Sequence, residues 1–147
     1  MNDPKQIQVG VARIYVKDIS FESPKSPQIF SQQIQPELKV DVSVKPRAVQ
    51  ENLWEVALTL TVEAKTANEP AFLIEVVQCG IFDVRNASQP ELERVLGIFC
   101  PTTLFPYARQ AIDSLLSLGS FPPLMLAPIN FEMMQRSAAE QRNQVKN

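Results

Sequence analysis

Trp54, Val56, Leu58, Leu60 and Val62 alternate with Glu55, Ala57, Thr59, Thr61 and Glu63. Successive side chains of a strand point to opposite faces, so an alternation sustained this long is satisfied by a strand with one face in a core and the other in water. Leu38, Val40, Val42 and Val44 repeat the pattern against Lys39, Asp41 and Ser43. Between the two runs, Lys45 to Asn52 holds Pro46 and polar residues and reads as a hairpin loop, which makes the pair antiparallel. A third strand is expected from Ala71 to about Val84, after the turn-like Thr66 to Pro70, with Gly80 marking a bend or bulge. Nearer the N-terminus, Ile7, Val9 and Val11 alternate on one parity and Ile14 and Val16 on the other, a phase change that implies a bulge or twist in a long first strand. Ile19 to Pro36 carries Pro24, Pro27 and Pro36 with no period, and is expected to cross the structure as an ordered loop.

After Pro90 the period changes. Leu104, Tyr107, Ala108, Ala111, Ile112, Leu115 and Leu116 fall on one helical stripe. Thr102 or Thr103 is a candidate cap, Pro106 is tolerable near the first turn, and Gly119 is a candidate stop. Phe121 to Pro128 reads as an apolar, proline-rich connector. Asn130 is a candidate N-cap for a second helix holding Phe131, Met134 and Ala138, with Glu132 favourable against its dipole. The residues from about Gln141 are expected to fray. The expectation is therefore an α+β fold: a four-stranded antiparallel sheet with a long crossover loop between strands 1 and 2, followed by two helices, in a single domain over 1–147 with an ordered core over about 7–140. Two helices cover only part of such a sheet, so burial against a second subunit is expected.

Composition removes most chemistry. The chain has no histidine, which excludes the usual general base and the commonest metal ligand. Cys79 and Cys100 cannot by themselves complete a zinc site and read as reduced, buried thiols. Four dispersed glycines build no phosphate-binding loop. A net charge of -2 with no basic cluster argues against nucleic acid. Glu91 and Glu93, two residues apart, read as solvated charges rather than an acid–base pair. No apolar run exceeds four residues, so no membrane insertion is expected, and MNDPKQIQVG has neither a basic leader nor an apolar stretch, which points to the cytoplasm. No enzymatic activity, cofactor or metal is expected.

The run Ile14-Tyr15-Val16-Lys17-Asp18-Ile19-Ser20-Phe21-Glu22-Ser23-Pro24 closely resembles the opening strand and loop of the bacterial protein-export chaperone family SecB. Phe72 to Val76, Cys100-Pro101 with Leu104 to Arg109, and Leu126 to Phe131 agree with it in order and spacing from about residue 7 to 135. The resemblance implies an ATP-independent cytosolic holdase that binds non-native precursor polypeptides and delivers them to the translocase motor SecA. It also implies a homotetramer, a dimer of dimers, with the first helix at the interface through Leu104, Tyr107, Ala108, Ala111, Ile112 and Leu115.

Two surfaces follow from the same resemblance. A client-binding groove would be lined by Phe21, Phe30, Ile34, Leu38, Val40, Phe121, Leu126, Phe131 and Met134. SecA, through a basic, zinc-bearing tail, would meet Asp18, Glu22, Leu73 and Glu75. The chain departs from well-known members in carrying Ile34 in place of a tryptophan and in a tail, Ala138 to Asn147, that sets Arg142 and Lys146 against Glu140 instead of being acidic. Other readings are a SecB-like chaperone dedicated to one client, such as an antitoxin, and a small-molecule or lipid carrier.

Overall fold

Val56, Leu58, Leu60, Val62 and Ala64 are all fully buried, and in the sheet register they stand beside Gly80, Gln78, Val76, Ile74 and Phe72. The alternation thus becomes one apolar sheet face. In the computed structural model, which describes residues 6–146, strands β1 (Gln8–Glu22), β2 (Glu37–Gln50), β3 (Leu53–Thr66) and β4 (Glu69–Arg85) form one antiparallel sheet in the order β1-β4-β3-β2. Helix α1 spans 89–118 and helix α2 is Phe131–Lys146. The α+β architecture is the one expected.

Several details differ from expectation, each for a physical reason. The β2–β3 connection is not an eight-residue loop: both strands run on to a turn at Glu51 and Asn52, where Asn52 has φ 65°. Pro46 therefore lies inside β2, which is tolerated because β2 is an edge strand whose outer side needs no ladder donor. Gly80 makes no bulge in the β3–β4 ladder. It provides clearance instead, since a Cβ there would stand 2.7 Å from the Phe82 ring and 3.1 Å from Leu104 of α1. The expected phase change in β1 is real and occurs twice, at Ala12 and at Lys17, where β1 has one residue more than β4. These two bulges keep Val9, Val11, Ile14, Val16, Ile19 and Phe21 on the same face as the buried residues of β4.

Helix α1 starts well before Thr102. Ser88 caps it in a reciprocal box, accepting from the Glu91 N–H at 3.3 Å while its own N–H donates to Glu91 Oε1 at 3.0 Å. The helix is α-helical over Gln89–Arg94, widens to a π-turn over Val95–Phe99, and resumes as Cys100–Leu118. Pro101 cannot donate to the Gly97 carbonyl and its ring crowds it, so the wider turn lies where the ladder is interrupted. The Thr103 hydroxyl caps nothing; it donates back to Phe99 O at 3.0 Å. Leu104, Ala108, Ile112 and Leu116 are fully buried, where α1 packs on β4 and β3.

α1 does end at Gly119, yet with φ −86°. The left-handed residue is Ser120, and what Gly119 supplies is room, because a Cβ would run into the Phe21 ring. The connector then returns along α1: Leu124 N–H donates to Asp113 Oδ1 at 3.1 Å, and Arg109 Nη1 donates to Leu126 O at 3.5 Å. Asn130 Oδ1 caps α2 by accepting from Met133 N–H at 3.0 Å. α2 docks on the π-turn, where Gln135 Nε2 donates to Glu93 O at 2.9 Å and fills the space above Gly97. It runs to Lys146.

Candidate functional site

The crossover loop joins the two opposite edges of the sheet, β1 and β2, so it must traverse one end of the molecule. It is tethered by a short 3-10 turn, Gln28–Ser31, whose Ile29 is buried in the core while Phe30 projects outward. Beneath it an aromatic cluster forms around Phe121, with ring centroids 5.0 Å from Phe72, 5.4 Å from Phe30 and 6.3 Å from Phe21. Phe121 and Phe72 are buried, whereas Phe30 is 42% exposed. Val40 continues the row through Val62 and Ile74 to Phe21, and Leu38 the row through Ala64 to Phe72. Leu38 is 43% and Val40 38% exposed. Leu38 and Phe72 are thus two strand spacings apart, about 10 Å, on one face. The result is an apolar strip, open to water, running from the aromatic cluster to the edge of the sheet.

Of the nine groove residues named from the sequence, Phe30, Leu38 and Val40 are exposed, Phe21, Ile34, Leu126 and Met134 are half-buried, and Phe121 and Phe131 are buried. Phe121 supports the strip as the centre of the aromatic cluster, whereas Phe131 lies at the start of α2 beside Ile98, Thr102 and Pro128. Phe72 was missed, because a strand residue in an apolar run carries no mark that it stacks on a distant ring.

The helix stripe divides in the same way. Of the six residues named for the oligomer interface, Leu104, Ala108 and Ile112 are fully buried in the protomer's own core, while Tyr107 is exposed and Ala111 and Leu115 are half-buried. Tyr107 and Ala111, with Gln110 and Ser114, face Ile14, Tyr15, Val16 and Gln78 across an open cleft of about 390 Å³. Beside it Val11, Val16 and Ile19 of β1 remain exposed on the helix side of the sheet.

The outer face is charged. Asp18 pairs with Val77, Ser20 with Glu75 and Glu22 with Leu73, so all four residues named for the acidic surface share this face. Glu63 adjoins Leu73 from β3, and Asp41 adjoins Thr61 next to Glu75. Further along the face, Glu55 is 7% exposed. It accepts from the Tyr15 hydroxyl on Oε2, from Lys17 Nζ at 3.1 Å on Oε1 and from Arg47 Nη2 at 3.3 Å on Oε1. The hydrogen bonds from Tyr15 and Lys17 hold its carboxyl below the usual carboxylate range. Burial, and then the hydrogen bond it donates to Glu55, push the Tyr15 hydroxyl up to about 12. Glu55 reads in the sequence as an ordinary wet-face charge; nothing local announces that three side chains converge on it. Burial raises the Cys79 thiol and pushes Cys100 up to about 12, and both are free and buried. Among the described residues, no group of three His, Cys, Asp or Glu could hold a metal ion, and no helix is long and apolar enough to cross a membrane.

An uncovered apolar strip on one face of the sheet and a group of carboxylates on the other are the make-up of a binding protein. The comparisons narrow the class: the family model described as preprotein translocase subunit SecB matches residues 2–142. The chain belongs to the SecB family and is a protein-export chaperone of the holdase type, acting without catalysis. It is 47% identical over 139 residues to the protein-export protein SecB of Hahella chejuensis, covering 95% of this chain and 87% of that one. It is 50% identical over 127 residues to that of Pseudomonas putida, covering 86% and 79%. Among solved structures, a Mycobacterium tuberculosis SecB-like chaperone in complex with an antitoxin peptide aligns with a TM-score of 0.66 and 15% identity, covering 82% of this chain and 90% of that one. At that identity it speaks for the fold alone.

Proposed function

We propose that this chain, in the cytoplasm, lays extended segments of non-native precursor proteins along the strip formed by Phe30, Leu38 and Val40, flanked by Phe21, Ile34, Leu126 and Met134, and presents them to SecA through the carboxylates Asp18, Glu22 and Glu75 around Leu73. The observation that carries this reading is the exposure of Phe30, Leu38 and Val40 on the apolar face, where a folded monomer gains nothing from leaving them wet. Burying one client aromatic of roughly 150 Å² contributes on the order of 4 kcal/mol before ordering costs. One such site is weak. Several sites engaging one long unfolded chain raise the effective affinity through multivalency, and a folded client offers no such segments.

That logic favours an oligomer. The exposed row Val11, Val16 and Ile19, together with Tyr107, Ala111 and Leu115, is an apolar surface open to a second copy, and a homotetramer built as a dimer of dimers would cover it and multiply the strips. Opposite charge at the acidic face speeds encounter with a basic segment of SecA and orients it, more than it adds affinity. The test is suppression of aggregation of an unrelated unfolded protein without ATP. The chaperone reading expects suppression that falls when Phe30 is replaced by serine; no suppression at a molar excess overturns it.

A further inference from the structure

Val84 N–H donates to Asn52 O at 2.8 Å, one step beyond the Leu53–Asp83 pair of the same ladder. In an antiparallel sheet each residue turns its N–H and C=O to one side, and the next residue turns them to the other. The even-numbered residues of β3 therefore bond to β4 and the odd-numbered ones to β2. β2 meets β3 odd to odd and even to even from Glu37 to Ala48, so Leu38, Val40, Val42, Val44 and Pro46 turn their main-chain groups away from β3. β2 is an edge strand, and those groups point off the sheet. Pro46 falls on the parity this requires, since a missing N–H there costs no ladder bond.

The two edges of the sheet are unlike. β1 carries extra residues at Ala12 and Lys17, where an incoming strand would lose register. β2 carries none between Glu37 and Ala48. Its outward N–H groups end at Pro46, and Pro36, the residue before the strand, has no N–H either. Between the two prolines, Leu38 to Val44 offers a donor and an acceptor at every second residue over about 20 Å. The side chains of the same four residues lie on the apolar face: Leu38 and Val40 are exposed and belong to the strip, and Val42 and Val44 are half-buried beside it. An extended chain seated on the strip therefore runs alongside main-chain groups that have no partner in the sheet. We propose that the edge Leu38–Val44 takes the client up as a fifth strand through main-chain hydrogen bonds, and that Pro46 ends the pairing. Main-chain amides are the same in every sequence, so the edge adds affinity without choosing side chains, while the apolar face asks only for apolar residues at alternate positions. A folded client has its own amides already paired. The inference rests on the reading of the strip above.

The probe is a short synthetic peptide alternating leucine with serine, in three forms: unmodified, N-methylated at every leucine, and N-methylated at every serine. Alternate amides of a paired strand face its neighbour, so one methylated form loses its bonds to β2 while the other turns its methyl groups to water. The expected result by calorimetry is binding weakened by about tenfold or more in one form and by less than about twofold in the other. In the protein, Val42→Pro removes an outward donor and no ladder donor, whereas Val42→Ala removes side-chain contact alone. The unmodified peptide is expected to bind the first about fivefold more weakly than the second, with suppression of aggregation of an unfolded protein following the same order. If Val42→Pro does not fold, the two methylated peptides on the parent protein carry the test. Equal binding of the methylated forms, or equal client capture by the two Val42 variants, overturns edge pairing and leaves the strip standing. Fewer subunits in Val42→Pro than in Val42→Ala by native mass spectrometry gives the edge to a second copy and overturns the proposal too. No binding of the unmodified peptide, together with no suppression of aggregation by the parent, overturns the reading of the strip and this inference with it.

Discussion

Glu22 of β1 stands directly opposite Leu73 of β4, with Glu63 on the far side of the same leucine. An exposed leucine framed by carboxylates suits a partner that brings both an apolar contact and basic charge. Asp18→Arg or Glu75→Lys is therefore expected to weaken SecA binding by about tenfold or more at low salt, with the difference from the parent shrinking as ionic strength rises. Client binding should be unaffected, since the strip lies on the other face. Titration calorimetry at two salt concentrations, with an aggregation assay alongside, checks both halves.

Phe121 and Phe30 are in contact but serve different ends. Phe121 is 4% exposed among three rings, so Phe121→Ala is expected to destabilise the fold by about 3–5 kcal/mol. Phe30→Ser removes an exposed ring and should cost far less stability while weakening client capture. Denaturant unfolding of each variant beside aggregation suppression separates the two roles.

The Tyr15–Glu55 pair predicts loss of stability at both ends of the pH scale. Glu55 is held below the ordinary carboxylate range. Its contribution is present above that range and drains as pH falls through the lowered native value, because the unfolded chain takes up the proton first. Tyr15 is raised from 10.0 to about 12, so the folded chain keeps a proton that the unfolded chain releases. Its contribution is complete below the ordinary value and is lost as pH rises towards the native one. Thermal unfolding across pH should show Tyr15→Phe losing the Tyr15 share of the alkaline decline and, from the same onset as the parent, a smaller Glu55-linked acid decline that ends at higher pH.

Cys79 and Cys100 are buried and their thiols are raised. Neither should be labelled quickly by an aromatic disulfide reagent in the native protein at neutral pH, and both should react on denaturation. Rapid labelling of either one in the native state would contradict the burial described for it.

The strands were legible because Val56, Leu58, Leu60 and Val62 obey a period that needs no knowledge of distant residues. The β1 phase change was also legible, between Val11 and Ile14, but the second bulge was not: Val16, Ile19 and Phe21 continue the apolar pattern only if Lys17 is known to be extra. Starting α1 at Thr102 or Thr103 sets Pro106 near its first turn, whereas the cap signal lies earlier, in Ser88 with Glu91. The π-turn lies where Pro101 interrupts the ladder, and Pro106 sits inside the regular helix beyond it. In the site, Asp18, Glu22, Leu73 and Glu75 share one face by register, yet Glu55 stayed hidden because its partners come from positions 8, 38 and 40 residues away in the chain. Helix periodicity found the stripe of α1, but it could not tell Leu104, Ala108 and Ile112, which face the protomer's own sheet, from Tyr107, which does not.

Native mass spectrometry of the protein alone and with a reduced, unfolded precursor reports subunit number and client stoichiometry together. A four-subunit species that takes up one unfolded chain, and takes up none once that precursor is folded, is the expected result. A monomer that binds no denatured chain would contradict a holdase built on exposed apolar strips.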